Sequence, residues 1–237
     1  MSGTKLVILA VVLAVGGFFG ALWLSDQIGP IGGMRNARFN ARVRLANGQA
    51  PVLPVLGDVP DFTLVGIDGK PVKRSDLAGR VWVADFIFTH CAGPCPAMSS
   101  RMSQLSQQFR NDRNIQLVTF TVDPERDTPA ALAEFAGLMK ADPARWWFLT
   151  GSKEAVYKLS REGFKLGAGQ NDKSLPEFAQ MPFFHSTRFV LVDQQARIRG
   201  YYEGVEPQAL FKLLDDARGL AAATPSPSAA LPGEGAR

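Results

Sequence analysis

The run VWVADFIF, Val81 to Phe88, leaves this chain few folds to choose from. All of it but Asp85 is apolar, so a strand built from it has no face to offer to water. Such a strand belongs in the middle of a largely parallel sheet with helices over both faces. IQLVTFTV, Ile115 to Val122, is a second run of the same kind. A helical segment between them runs toward Phe109, and Thr128-Pro129 supplies an N-cap and a first-turn proline for a helix to about Lys140. Trp146–Thr150 reads as a short strand, and Ser152 as the cap of a helix reaching about Glu162. Ahead of the first buried run, FTLVGIDGKPV is a hairpin turning at Asp68-Gly69. TRFVLVD and RIRGYYE are two further strands, turning near Asp193–Ala196. Pro207 opens a last amphipathic helix with Leu210, Phe211, Leu213 and Leu214 available to the core.

The chain has two cysteines, Cys91 and Cys95, and both follow the first buried strand at the start of a helical segment. That placing makes the expected fold a thioredoxin-like α/β domain with an N-terminal hairpin extension, over about residues 58–220. Three residues separate the cysteines, one more than in a thioredoxin-type pair. If the segment is helical, they stand one turn apart on one face, about 6 Å between α-carbons, which a disulfide accepts. A chelate is equally open, since two thiolates form a soft donor pair for Cu(I) or zinc. A helix N-terminus favours thiolate in either case. Of the two histidines, His90 adjoins Cys91 and is awkward as a chelating partner. His185, in MPFFHSTRFVLVD, precedes a strand that a thioredoxin-like layout packs beside the cysteines, so two sulfurs and one imidazole would meet there.

Asp85 is costly in a buried strand and must either find a donor or hold its proton. Met98 and Met102 share the helical face of Cys95 and read as core packing before they read as thioether ligands. Trp146 and Trp147 also read as core. Asp123 and Asp127 flank a strand end and a helix start, where capping is the default role. Residues 163–184 read as a loop placed before His185.

Outside the domain, LVILAVVLAVGGFFGALWL, Leu6 to Leu24, carries no charge and is long enough to cross a bilayer core of about 30 Å. A cleaved signal peptide is the competing reading, but no A-x-A-like site follows. Residues 1–5 are then a short tail, 6–24 a transmembrane anchor, 25–57 a Gly/Pro-rich linker and 221–237 a disordered tail. Arg35, Arg38, Arg42 and Arg44 follow the span and by the positive-inside rule oppose an extracytoplasmic domain. The net charge is +4 without a basic stripe, so nucleic acid is not an expected partner.

SDLAGRVWVADFIFTHCAGPCP, TVDPERDTPAALAEF, FLTGSKEAV and HSTRFVLVD together resemble the Sco/SenC proteins, in that family's order and approximate spacing. The resemblance implies copper, as Cu(I) or Cu(II), on Cys91, Cys95 and His185, a reversible Cys91–Cys95 disulfide, and assistance to the dinuclear copper site of cytochrome c oxidase. Partners would be the oxidase's copper-bearing subunit, other copper chaperones or thioredoxin-like reductants. The location implied is single-pass in the cell inner membrane with the domain facing the periplasm, against the arginine signal. Two departures keep a second role open, an anchored thiol-disulfide oxidoreductase. Ala92 stands where the family commonly has proline, and Asp85 resembles the buried aspartate with which thioredoxins handle protons.

Overall fold

Val81–Ile87 and Ile115–Thr121 lie side by side in parallel at the centre of the sheet, and every residue of both is buried. The computed structural model describes residues 53–91, 93–171 and 183–223. In chain order the strands are β1 (Gly57–Asp58), β2 (Thr63–Gly66), β3 (Pro71–Lys73), β4 (Val81–Ile87), β5 (Ile115–Thr121) and β6 (Trp146–Thr150), then β7 (Ala168–Gln170), β8 (Phe183–His185), β9 (Arg188–Val192) and β10 (Arg197–Glu203). The helices are α1 (Cys95–Gln108), α2 (Pro129–Leu138), α3 (Lys153–Lys158) and α4 (Pro207–Ala222). Eight strands form one sheet in the order β1-β10-β9-β4-β5-β6-β2-β3, with β4, β5 and β6 parallel and the flanking pairs antiparallel. β7 and β8 form a separate two-stranded ribbon.

Strand alternation divides the core into two layers. Val81 and Val83 face one way, with Met98, Met102 and Leu105 of α1, Leu132 and Ala136 of α2 and the apolar stripe of α4. Trp82, Ala84 and Phe86 face the other way, toward Val156, Leu159 and Phe164. The thioredoxin-like α/β arrangement follows, and the caps are as the sequence requires. Thr128 accepts from the Ala131 amide at 3.3 Å and Ser152 from the Ala155 amide at 3.2 Å. Gly69 takes φ 77° at the hairpin turn, the left-handed region glycine tolerates.

Three boundaries differ from the sequence reading. Residues 53–57, expected as linker, join the domain: the Leu56 amide donates to the Ile198 carbonyl at 2.8 Å, and Arg199 donates to the carbonyls of Leu53 and Pro54. The helix after Ser152 stops at Lys158 and continues as a wider π turn, Leu159–Gly163. The expected 163–184 loop contains β7 and most of β8, a ribbon too short to carry a recognisable alternation. The expected anchor at 6–24, most of the 25–57 linker, residues 172–182 of that loop and the tail from 224 lie outside the described residues. Among the described residues no helix is long and apolar enough to cross a membrane.

Candidate metal centre

After β4 the chain leaves the sheet through Phe88, turns at Thr89 and His90, and reaches Cys91 before any helix has begun. Helix α1 starts at Cys95, with Pro94 as its N-cap and Pro96 in the first turn. The two cysteines are therefore not one helical turn apart. The turn itself brings them together, and the Gly93 amide donates to Cys91 Sγ at 3.3 Å. Both cysteines are free thiols in this structure.

β8 brings His185 to the same place. Its ligand nitrogen and the two sulfurs lie within 4.8 Å of one another, with both cysteines buried and the histidine half-buried. Nδ1 of His185 lies 3.0 Å from the Ser186 carbonyl, which can only accept, so Nδ1 carries the proton. Nε2 is left with its lone pair and faces Cys95 Sγ at 2.8 Å. Phe88 packs edge-on against both the His185 and Phe183 rings and closes one side.

The two thiols are electrostatically unlike. Burial opposes ionisation of Cys91, but the His185 imidazole, the Cys95 thiol and the amides of Cys95 and Gly93 favour the thiolate, outweigh burial and hold the thiol at about 7. Burial pushes Cys95 far above the usual thiol range, and a hydrogen bond to Cys91 and the nearby charge of Asp85 push it further. Cys91 is the thiol that ionises first, and Cys95 is the one that holds its proton.

Asp85 faces the same layer as Val81 and Val83 and pairs across the sheet with Thr119. The Thr119 hydroxyl donates to Oδ1 at 2.6 Å and in turn accepts from the Trp146 indole at 2.8 Å. Oδ2 is buried with no hydrogen-bond partner. Burial raises Asp85 to about 7, against the opposing pull of Thr119 and the charge of His185. Asp127 is the contrasting case. It accepts from the Thr89 amide at 3.0 Å, the Thr89 hydroxyl at 2.5 Å and the Thr121 hydroxyl at 2.5 Å. Capping of α2 falls to Thr128, so Asp127 does not have the role expected of it; it fixes the turn that presents Cys91. Asp123 takes an amide-to-Thr121 bond and an ion pair with Arg126.

His90 stays out of the cluster, an exposed ring bonded to Thr89 Oγ1 at 2.8 Å. Met98 and Met102 are wholly buried in the α1 layer, away from the sulfurs' apolar surroundings. Sequence reasoning missed Thr119, Thr121 and the indole of Trp146. Two threonines in a buried strand were the available signal, because buried hydroxyls need acceptors and two aspartates stood near.

The SCO1/SenC family profile matches residues 58–215. The SCO1 protein homolog of Bacillus subtilis is 32% identical over 173 residues, covering 72% of this chain and 86% of that protein. A solved structure of BsSco, described as a member of the Sco family of cytochrome c oxidase assembly proteins with a disulfide switch, is 31% identical with a TM-score of 0.61, over 73% of this chain and 99% of that one. ScoI of Bradyrhizobium japonicum, solved with copper bound, shares the fold at 21% identity and a TM-score of 0.57, over 69% of this chain and 99% of that one. The chain belongs to the SCO1/SenC family.

Proposed function

We propose that this protein is a copper-binding metallochaperone that serves the dinuclear copper site of cytochrome c oxidase, with copper as its cargo on Cys91, Cys95 and His185. One observation carries the reading: two thiols and a lone-pair-bearing imidazole converge within 4.8 Å from three separate segments. The donor set fits the metal. Two sulfurs suit Cu(I), and an added imidazole suits Cu(II), so one site accommodates both oxidation states. The family's description as oxidase assembly proteins supports the target, a copper-bearing oxidase subunit, with other copper chaperones or thioredoxin-like reductants as suppliers. Residues 6–24 would hold the protein in the cell inner membrane with the domain on the periplasmic side, as expected from sequence. A reporter active only outside the cytoplasm, fused after Arg237, is silent in an inserted fusion if that orientation is wrong.

The test of the cargo is titration of the reduced chain with Cu(I) and Cu(II). His185→Ala should weaken Cu(II) far more than Cu(I), since the thiolates alone still hold the monovalent ion. Equal losses for both ions, or none, would remove the imidazole from the site.

A second reading, a thiol-disulfide oxidoreductase, is favoured by the unpartnered Oδ2 of Asp85. A buried carboxylate poised near neutrality is a proton acceptor for Cys95 when the pair reduces a partner disulfide. Asp85→Asn should then slow thiol exchange while leaving copper stoichiometry unchanged.

A further inference from the structure

The two thiols do not open onto a flat surface. Cys91 and Cys95 stand at one end of a groove of about 530 Å³ that runs along α1. One wall is a single face of α1, where Ser99, Ser100, Ser103, Gln104 and Gln107 recur at helical spacing. The other is the end of α2 and the residues after it, Phe135, Leu138, Met139 and Lys140. The Ser103 hydroxyl donates to the Met139 carbonyl at 3.3 Å and ties the walls together.

This lining favours a polypeptide. Hydroxyls and side-chain amides on one wall answer the N–H and C=O groups that an extended backbone must pair. On the other wall Leu138 is 70% exposed, the most exposed large apolar side chain among the described residues. Among the described residues no carboxylate lines the groove, and Lys140 gives it one positive charge. From Cys95 to Gln107 α1 advances about 18 Å, which an extended segment of about five or six residues spans.

We propose that this groove docks an extended segment of a partner protein, with a cysteine at the thiol end, an apolar side chain on Leu138 and a carboxylate beside Lys140. The proposal rests on the reading of Cys91 and Cys95 as a transfer site, and gives that site a track along which the partner's sulfur is delivered. Contact along the track holds the incoming sulfur beside Cys91, the more exposed of the two thiols.

The test uses the full reduced chain in detergent and hexapeptides with cysteine first, leucine fourth and glutamate, glutamine or lysine last, together with their reversed sequences. Each peptide cysteine is activated as its mixed disulfide with thionitrobenzoate. The Cys91 thiolate attacks the peptide sulfur, a new sulfur–sulfur bond forms, and thionitrobenzoate leaves as a coloured thiolate whose release is timed. In one of the two directions the glutamate peptide should react about threefold faster than the glutamine peptide, and the lysine peptide slower by a similar factor, the range of an exposed charge pair. Lys140→Glu should invert that order and Leu138→Ser should slow all three peptides. Activated cysteine without the peptide should react equally with all three proteins. Equal rates for the three peptides, or an order that Lys140→Glu leaves intact, overturns the groove. Copper binding measured on the same preparations separates the two readings: a chain that binds no copper yet keeps the peptide order loses the chaperone assignment and retains the docking track.

Discussion

Asp127 and Asp85 are both fully buried carboxylates, one bonded to the cysteine turn and one on the strand that leads to it, and the structure treats them in opposite ways. Asp127 receives three donors and has no acceptor left idle. Asp85 receives one donor on one oxygen and nothing on the other. A satisfied carboxylate in that position is a brace, because its charge is answered by fixed dipoles and its removal strands every donor aimed at it. A half-satisfied one keeps its proton within reach of neutral pH, at a standing cost to the fold. The first therefore shapes the cysteine turn, and the second keeps a proton that titrates near neutrality.

The sharpest way to break that contrast is to delete the brace. Asp127→Ala takes away the acceptor of the Thr89 amide and of the Thr121 hydroxyl and leaves the Thr89 hydroxyl only His90, and should cost about 5 kcal/mol in denaturant unfolding. Asp127→Asn, which keeps one accepting oxygen, should recover part of it. A loss below about 1 kcal/mol for the alanine variant would mean that the three bonds do not hold the turn.

Asp85 should show itself through pH. Its folded value of about 7 lies above the ordinary 3.8, so the folded state holds a proton that the unfolded chain releases between those values. The stability it contributes is complete below about pH 4 and is lost as pH rises toward 7, by about 4 kcal/mol. Asp85→Asn should flatten this part of the stability–pH curve. A wild-type curve that rises over the same window, with an unchanged shape in the variant, contradicts the assignment.

A smaller effect concerns the thiols. Alkylation of the reduced protein should fall first on Cys91, with a midpoint near pH 7, while Cys95 stays slow. His185→Ala removes the imidazole that favours the Cys91 thiolate, so the midpoint should move up and the rate at neutral pH should drop several-fold. Faster modification of Cys95 than of Cys91 would reverse the roles given to the pair. The smallest effect is expected at Met98. Met98→Leu conserves volume in the α1 layer, so it should cost less than about 1.5 kcal/mol and leave copper stoichiometry as it was.

Much of this was legible before any coordinates. The two buried runs required the central parallel pair, Thr128-Pro129 and Ser152 marked helix starts, and the placing of Cys91, Cys95 and His185 pointed to one cluster. What could not be read depends on pairing across the sheet. Asp85 meets Thr119 only because β4 and β5 run in parallel at that register, and strand composition does not state register. Asp127 read as a cap because local chemistry favours capping at a helix start, whereas its partners Thr89 and Thr121 come from two other segments. The β7–β8 ribbon escaped notice for a different reason: three-residue strands carry too little alternation to stand out.

The central claim is that the two sulfurs and one imidazole form a copper site, and stoichiometry tests it most directly. The reduced protein should bind one copper per chain, and the Cys91→Ser, Cys95→Ser double variant none, because a hydroxyl oxygen is a poor substitute for a soft thiolate. Stoichiometric copper binding that survives in the double variant would contradict the account.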